Sequence, residues 1–404
     1  MVFECQRDSF KTEFTTTVVS SIPAQLDTGE KKQTISGYEV ILKDTILFPE
    51  GGGQIDGIPV TRVTRKGADA IHFVQEPIEP GKDVKLVVDW TRRFDNMQQH
   101  SGQHLITAIA DNMFGFKTTS WMFSKDVCLI ELDTPKVTSE QIEAIEKACN
   151  DAILKCVPVT PKYYQPEDDE LANIRSRGLP DDHVGLVRVI TIEGIDVNMC
   201  CGTHVSNLSQ LQCIKLLGVE KSKKRTNLLY LTGNRVLKYL GKCYNTEKAL
   251  CTALKCSPEE HVDMANKLQK SVREVQKSKT MLLREVAKYE AEKLKSSTDN
   301  VMSLHRKDGD NEYMNIIANE IGQENGVVFV SVGNEKGAGL FLISGPEVVI
   351  TEAGPKVAEI LDGKGAGKNG KYQGKVNNLK KKKVAIDFVK TLLCKTNSTE
   401  TTES

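Results

Sequence analysis

The sequence predicts an α+β protein built from several domains, on three observations. Up to about residue 90, short β-branched runs are divided by Gly, Pro and Asp turns. A helical spacing of apolar residues then takes over, and past residue 257 a charged segment carries a heptad-like stripe ahead of two further apolar strands. At roughly 100–200 residues per domain, 404 residues leave room for two to four domains that each bury a core. A composition of 39% hydrophobic and 27% charged residues fits a globular chain and excludes a disordered one.

The elements follow in order. Strands are expected at 15–20, 38–42, 71–74 and 85–88. Leu105, Ile106, Ile109 and Met113 predict a helix over about 96–113, and residues 128–132 read as a strand. A helix over 139–155 has Ser139 as its expected N-cap and Ile142, Ile145, Ala148 and Ile153 near one stripe. Strand-like runs occupy 157–159 and 186–192. Beyond a boundary near Cys256–Pro258, Ala265, Leu268, Val272, Val275, Leu282, Val286 and Tyr289 alternate by three and four, interrupted by Lys279. This reads as a helix to about Leu294, simplest as a spacer packed on its own chain and also able to pair two copies, so monomer and homodimer both stay open. Strands at 327–332 and 340–343 follow, and the polar tail from Thr396 is expected to be disordered. The expected domains are therefore 1–90, 91–256, 257–298 and 299–395, with 396–404 as the tail.

A formal net charge of +0 would exclude a uniformly basic nucleic-acid binder, but the charge is not uniform. Residues 1–200 carry 21 Lys+Arg and 31 Asp+Glu, giving −10, and the remainder carries 33 and 23, giving +10. Residues 1–10 include Glu4, Arg7 and Asp8 without an apolar core, which excludes a secretory signal, and no run approaches the ~18 apolar residues of a membrane span. The 11 cysteines are odd in number and scattered, with Cys200 and Cys201 adjacent, so thiols or metal ligands in a reducing, cytoplasmic setting are expected.

Two pairs of residues carry the chemistry. His100 and His104 are four apart in the helical segment, which puts both imidazoles on one face as a metal clamp requires. Cys200 and His204 are also four apart, around Gly202. Together they make a tetrahedral N, N, S, N set suited to one Zn²⁺ per chain. Either pair alone is as readily a partly exposed face. Three of only seven histidines fall in these pairs, however, and Gln98, Gln99 and Gln103 flank the first. Ser101 stands where a zincin would carry its glutamate base, so no general base is assigned, and a peptidase is disfavoured. Metal-assisted hydrolysis, with metal-bound water or a substrate group handling the proton, fits better.

These motifs together resemble the editing domain of alanyl-tRNA synthetase and its free-standing relatives, the alanyl-tRNA editing proteins of the AlaX family. Phe48-Pro49-Glu50-Gly51-Gly52-Gly53-Gln54 is similar to that family's glycine-rich motif, Arg92 to Leu105 to its first zinc segment, and Asn198 to Val205 to its second. Thr118-Thr119-Ser120-Trp121 lies where relatives place pocket-lining residues. Cys201 departs from the family's usual glycine, and spacing to His204 favours Cys200 as the ligand. The specific match covers about residues 1–245. It continues more weakly to a region like the last domain of alanyl-tRNA synthetase, whose glycine-rich loop Asp362 to Gly367 resembles.

The resemblance implies a barrel-like N-terminal subdomain, a zinc-containing editing domain, and an editor acting in trans on tRNA(Ala) wrongly esterified with serine or glycine. Rejecting alanine requires hydrogen bonds to the serine hydroxyl. Thr118 and Ser120 are the candidates, and capping of a helix end is their equally good structural role. Gly51, Gly52 and Gly53 are candidates for close approach to the terminal ribose or phosphate, or simply a hairpin turn. Lys223, Lys224 and Arg225 lie in a basic stretch that either contacts acceptor-arm phosphates or forms a solvated face. The alternative function is a non-catalytic tRNA-binding or interaction protein with a structural zinc. A P-loop spacing from Gly365 to Lys371 is set aside, because Tyr372 replaces the required Ser or Thr and the segment follows a helix-like stretch.

Overall fold

A computed structural model describes residues 2–27, 34–49, 51–176 and 184–400, so Glu50 of the glycine motif and the last four residues of the expected tail lie outside the described residues. The chain divides into two compact units, Met1–Ala249 and Leu250–Ser404. The first begins with a short helix, α1 (Glu4–Arg7). Six strands follow: β1 (Glu13–Asp27), β2 (Thr34–Leu42), β3 (Gln54–Ile55), β4 (Ile58–Lys66), β5 (Asp69–Val74) and β6 (Asp83–Val87). They close into a barrel in the order β1-β2-β5-β4-β3-β6, filled by Val18, Val40, Ile55, Val74 and Leu86. Closure removes both edges of the sheet. β4 escapes the sequence reading because its Thr and Arg residues face out and leave Val63 alone among them buried.

His72 sits fully buried in this wall as a satisfied neutral imidazole. Its Nδ1–H donates to the Val40 carbonyl at 3.1 Å, and its Nε2 accepts from the Thr45 hydroxyl at 2.9 Å. Burial pushes its pKa down to about 4.

The rest of the first unit carries α2 (Trp90–Phe114), β7 (Thr118–Met122), β8 (Cys128–Leu132), α3 (Ser139–Leu154), β9 (Val159–Tyr164), β10 (Val187–Ile192), β11 (Asp196–Met199), β12 (Ile214–Ser222) and β13 (Arg225–Thr232). These strands form a four-stranded sheet, β12-β13-β8-β7, and a three-stranded one, β11-β10-β9. Met97, Leu105, Ile106 and Ile109 of α2 share one core with Ile145 and Cys149 of α3 and with Ile130, Leu228 and Tyr230 of the larger sheet. α2 starts at Trp90 rather than near 96 because the Asp89 side chain caps it, accepting the Arg92 N–H. Thr138, not Ser139, caps α3, in a capping box with Gln141. Thr118 and Ser120 belong to a strand and cap no helix.

Two glutamines beside the histidine pair fix α2 in place. Gln99 exchanges hydrogen bonds with the backbone of Thr232, through Nε2 to the carbonyl at 2.9 Å and through Oε1 from the N–H at 3.1 Å. Gln98 donates to the Gln210 carbonyl and accepts from the Asn234 N–H. Both are buried, so these bonds form away from competing water.

In sequence, α4 (Asn234–Leu254) spans the boundary of the units. The second unit comprises α5 (His261–Lys295), β14 (Val301–Arg306), α6 (Asn311–Ile321), β15 (Val327–Gly333), β16 (Gly339–Ser344), α7 (Glu347–Ile360), β17 (Gly363–Lys368), β18 (Lys371–Val376) and α8 (Lys382–Glu400). The sheet order is β14-β15-β16-β18-β17, with β14 and β15 parallel and the other pairs antiparallel. Val327 and Phe329 pack toward α7 and α8, while Val328 and Val330 pack toward α5 and α6. Helices cover both faces, which is why this strand is almost wholly apolar, with Ser331 its buried polar exception. On α5 the packed face is Leu283, Val286, Ala287, Ala291 and Leu294, where the small alanines admit α6. Leu268, Val272, Val275, Leu282 and Tyr289 of the expected stripe stay exposed. The P-loop-like segment is the β17–β18 hairpin, turning through Asn369 and Gly370 at φ 52° and 68°. α8 runs to Glu400, into the segment expected to be a disordered tail. The α+β class holds, and no helix among the described residues is long and apolar enough to cross a membrane.

The state of His72 sets a pH dependence. Its folded pKa of about 4 lies below the unfolded value of about 6.5, so the unfolded chain takes up the proton first as pH falls. The stability associated with this residue is complete above pH ~6.5 and is lost between ~6.5 and ~4, on the order of 3 kcal/mol in all. Urea midpoints measured from pH 7 to 4 should fall less steeply for His72→Met than for the wild type.

Candidate metal centre

His100 and His104 emerge from the buried face of α2, and Cys200 and His204 from the loop after β11. Their four ligand atoms all lie within 4.8 Å of one another. Cys200 Sγ is 3.4 Å from His100 Nε2 and 3.3 Å from His204 Nε2. Zn–S and Zn–N bonds of about 2.3 and 2.1 Å at the tetrahedral angle place sulfur and nitrogen roughly 3.5 Å apart, so the donors fit zinc in both type and spacing. The predicted ligand Cys200 is in the cluster. Cys201 instead faces the adjoining cavity, and its carbonyl accepts from the Gln6 amide at 2.8 Å.

The surroundings orient each donor. The Nδ1–H of His100 donates to the Thr203 carbonyl at 3.2 Å, which turns Nε2 toward the centre. His204 is held the same way by Ser101, whose hydroxyl lies 3.1 Å from its Nδ1 and accepts the Val205 N–H. The residue at the zincin base position is here a positioning residue. Arg188, buried in β10, donates from Nη1 to the carbonyls of Cys200 and Gly202 at 2.9 and 2.7 Å and so fixes the ligand loop. Gly202 has no alternative, because a Cβ there would lie 2.2 Å from His100 Cε1.

Burial drives the imidazoles toward the neutral form that a metal requires. It pushes His100 down to about 4 against the bond to Thr203, and it carries His204 well below its ordinary value, with His100 and His104 adding to the effect. At Cys200 burial opposes ionisation, but His104, the Gly202 N–H and Arg188 together outweigh it and hold the thiol below its usual range.

Beside the centre lies a cavity of about 330 Å³. One wall is a chain of polar groups: Gln103 Nε2 donates to Thr107 Oγ1 at 2.9 Å, and that hydroxyl meets Thr118 Oγ1 at 3.0 Å. Gln103 Oε1 is buried without a hydrogen-bond partner. The far end is charged: Asp111 pairs with Lys117 at 2.8 Å and with Arg175 at 3.6 Å, and Arg175 also meets the buried Asp196 at 3.2 Å.

Of the other predicted residues, Thr118 lines this cavity, whereas Ser120 is directed to Glu131 at 3.4 Å and lies off its wall. Gly51, Gly52 and Gly53 also lie outside it. Their loop closes on the barrel so tightly that a Cβ at Gly53, at φ 140°, would meet Leu47 Cδ2 at 2.5 Å and the Val87 carbonyl at 2.7 Å. Lys223 and Lys224 form the exposed tip of the β12–β13 hairpin. Arg225 turns back to Glu131 at 2.8 Å and Asp133 at 3.7 Å. Sequence reasoning missed Arg188, the Gln6 amide that donates to the Cys201 carbonyl, and Ser9, whose hydroxyl accepts the His204 N–H at 3.4 Å. A lone arginine within the apolar run 187–192 was the available signal for Arg188.

Four side chains that could hold a metal ion lie in the first unit, and residues 187–230 of that unit match the family described as the Threonyl and Alanyl tRNA synthetase second additional domain. The chain is 57% identical over 390 residues to alanyl-tRNA editing protein Aarsd1-B of Xenopus laevis, covering 94% of this chain and 95% of that protein. It is 56% identical to alanyl-tRNA editing protein Aarsd1 of Danio rerio, covering 95% of each. The chain belongs to the alanyl-tRNA editing protein family. Among solved structures, the C-Ala domain from Aquifex aeolicus alanyl-tRNA synthetase covers 23% of this chain and 89% of that one, at 20% identity and a TM-score of 0.21, too slight a likeness to assign the C-terminal region.

Two substitutions test the construction of the centre. Ser101→Ala should weaken zinc affinity by about 10- to 100-fold. Gly202→Ala, which displaces His100 itself, should weaken it further; competition against a chromogenic chelator measures both.

Proposed function

We propose that the chain is a zinc-dependent hydrolase acting in trans on mischarged tRNA(Ala), chiefly Ser-tRNA(Ala) and also Gly-tRNA(Ala), releasing the amino acid and tRNA. The observation that carries this reading is the cavity beside the four metal-ligand residues, with hydroxyl and amide groups along one wall. Bound at His100, His104, Cys200 and His204, Zn²⁺ would supply a fixed positive charge that positions and polarises an ester at the cavity floor.

The chain's own groups perform the discrimination. Thr118 and Thr107 offer hydrogen bonds to a serine hydroxyl that alanine lacks, with the Gln103 amide orienting Thr107. A pocket that must hydrogen-bond its substrate rejects the analogue lacking the group far more strongly than an apolar pocket rejects a missing methylene. Lys223 and Lys224 at the hairpin tip, with the Gly51–Gly53 loop, provide surfaces for the acceptor arm. Arg225 contributes less, being paired with Glu131. No side chain is assigned as general base; Asp111, the carboxylate lining the cavity, is committed to Lys117 and Arg175.

Four protein donors fill a tetrahedral shell, which is also how structural zinc sites are built. This observation favours a second reading, a non-catalytic tRNA-binding protein in the cytoplasm with a structural zinc. His100→Ala combined with His104→Ala separates the two: a folded, tRNA-binding but inactive variant supports the hydrolase, and an unfolded one supports the structural metal. Wild-type protein should deacylate Ser-tRNA(Ala) on the order of a thousandfold faster than Ala-tRNA(Ala). Thr118→Val, which keeps the side-chain shape, should lower kcat/KM for Ser-tRNA(Ala) by about 10- to 100-fold in a deacylation assay.

A further inference from the structure

The rim of the cavity is asymmetric. Its charged end is occupied by the ion pairs of Asp111, Lys117 and Arg175. At the other side β7, an edge strand of its sheet, brings Trp121 into the cavity wall and ends at Met122, which is 53% exposed, with Phe123 just beyond it 41% exposed. The Trp121 and Phe123 rings are 6.4 Å apart at 46°, and Phe123 stands edge-on to His100 at 5.8 Å. Trp121 is half-buried against the core, whereas Phe123 is exposed beside it, and the pair borders the metal-ligand residues directly.

We propose that Trp121 and Phe123 form the platform on which the terminal adenine of the tRNA acceptor strand stacks, one ribose away from the ester. The inference rests on reading the substrate as an aminoacyl-tRNA. Proteins bind single-stranded RNA ends by stacking unpaired bases on aromatic side chains, and such contacts tolerate any base. The two rings are too close and too tilted to sandwich a base, so the adenine lies on the outward face of the pair. With the base on this side, its ribose hangs over His100, and the esterified amino acid enters the cavity toward Gln103, Thr107 and Thr118. The aromatic rim thus orients the substrate, and the polar wall reads its side chain.

The chain has two tryptophans, so Trp90→Phe leaves Trp121 as the sole indole reporter, with Phe94 and Phe10 still around position 90. In that background, a tRNA(Ala) transcript should quench or shift Trp121 emission, and the same transcript lacking its terminal adenosine should not. In the native sequence, Trp121→Ala and Phe123→Ala should each raise KM for Ser-tRNA(Ala) by about 5- to 150-fold, the worth of one base–aromatic stack. Both should keep kcat and zinc content, and Trp121→Phe should restore most of the loss. An emission change that survives removal of the adenosine would overturn the proposal, as would a fall in kcat at unchanged KM. Absence of any deacylation by wild-type protein would instead sink the editing reading, while the emission experiment still reports base stacking.

Discussion

Three imidazoles and a thiol share a space in which their ligand atoms all lie within 4.8 Å, and the first unit is arranged around that constraint. Like charges this close cannot coexist out of water, so the imidazoles must stay neutral, and burial enforces it. Neutral rings so crowded also need their orientations imposed from outside. The Thr203 carbonyl and Ser101 hydroxyl do this for His100 and His204, Gly202 makes the room, and Arg188 holds the loop. Gln98 and Gln99 extend the same control to α2, by locking the helix to the backbone of neighbouring segments.

Much of this was legible in the sequence, for identifiable reasons. The two ligand pairs announce themselves because four-residue spacing is a local property, independent of what surrounds it. The strand beginning at Val327 was equally plain, since burial on both faces leaves a nearly continuous apolar run, and in Cys128–Leu132 the buried residues alternate with less buried ones, as on a strand with one packed face. What stayed hidden is what depends on partners far along the chain. Arg188 reads as an anomalous charge until the carbonyls of Cys200 and Gly202 come to it. Gln98 and Gln99 look like evidence of a site, and they prove to be buried anchors of the backbone. Of the heptad-like stripe on α5, Val286 joins the packed face, whose alanines allow the close contact with α6, while Leu268, Val272, Val275, Leu282 and Tyr289 stay exposed.

The cavity differs from one wall to the other. On one side the Gln103 amide and the Thr107 and Thr118 hydroxyls form a chain of directional hydrogen bonds. The ion pairs at the opposite end are already satisfied internally and so bring charge to the wall without an unpaired buried ion. At the β12–β13 hairpin, Arg225 is paired with Glu131, while Lys223 and Lys224 project at the tip.

The partition of the ligands into two pairs about a hundred residues apart also bears on how the protein is made. Each pair is preorganised by its own local element, but the full set exists only after a long loop has closed, and that closure carries an entropic cost. A nascent chain would emerge with the histidine pair first and hold at most a weak bidentate site until the Cys–His loop arrives. With zinc held as proposed, the affinity would reside in the completed set and would count as folding free energy of the first unit. Zinc supply during synthesis would then govern the yield of folded protein, a quality check on the chain itself that precedes any check it performs on others.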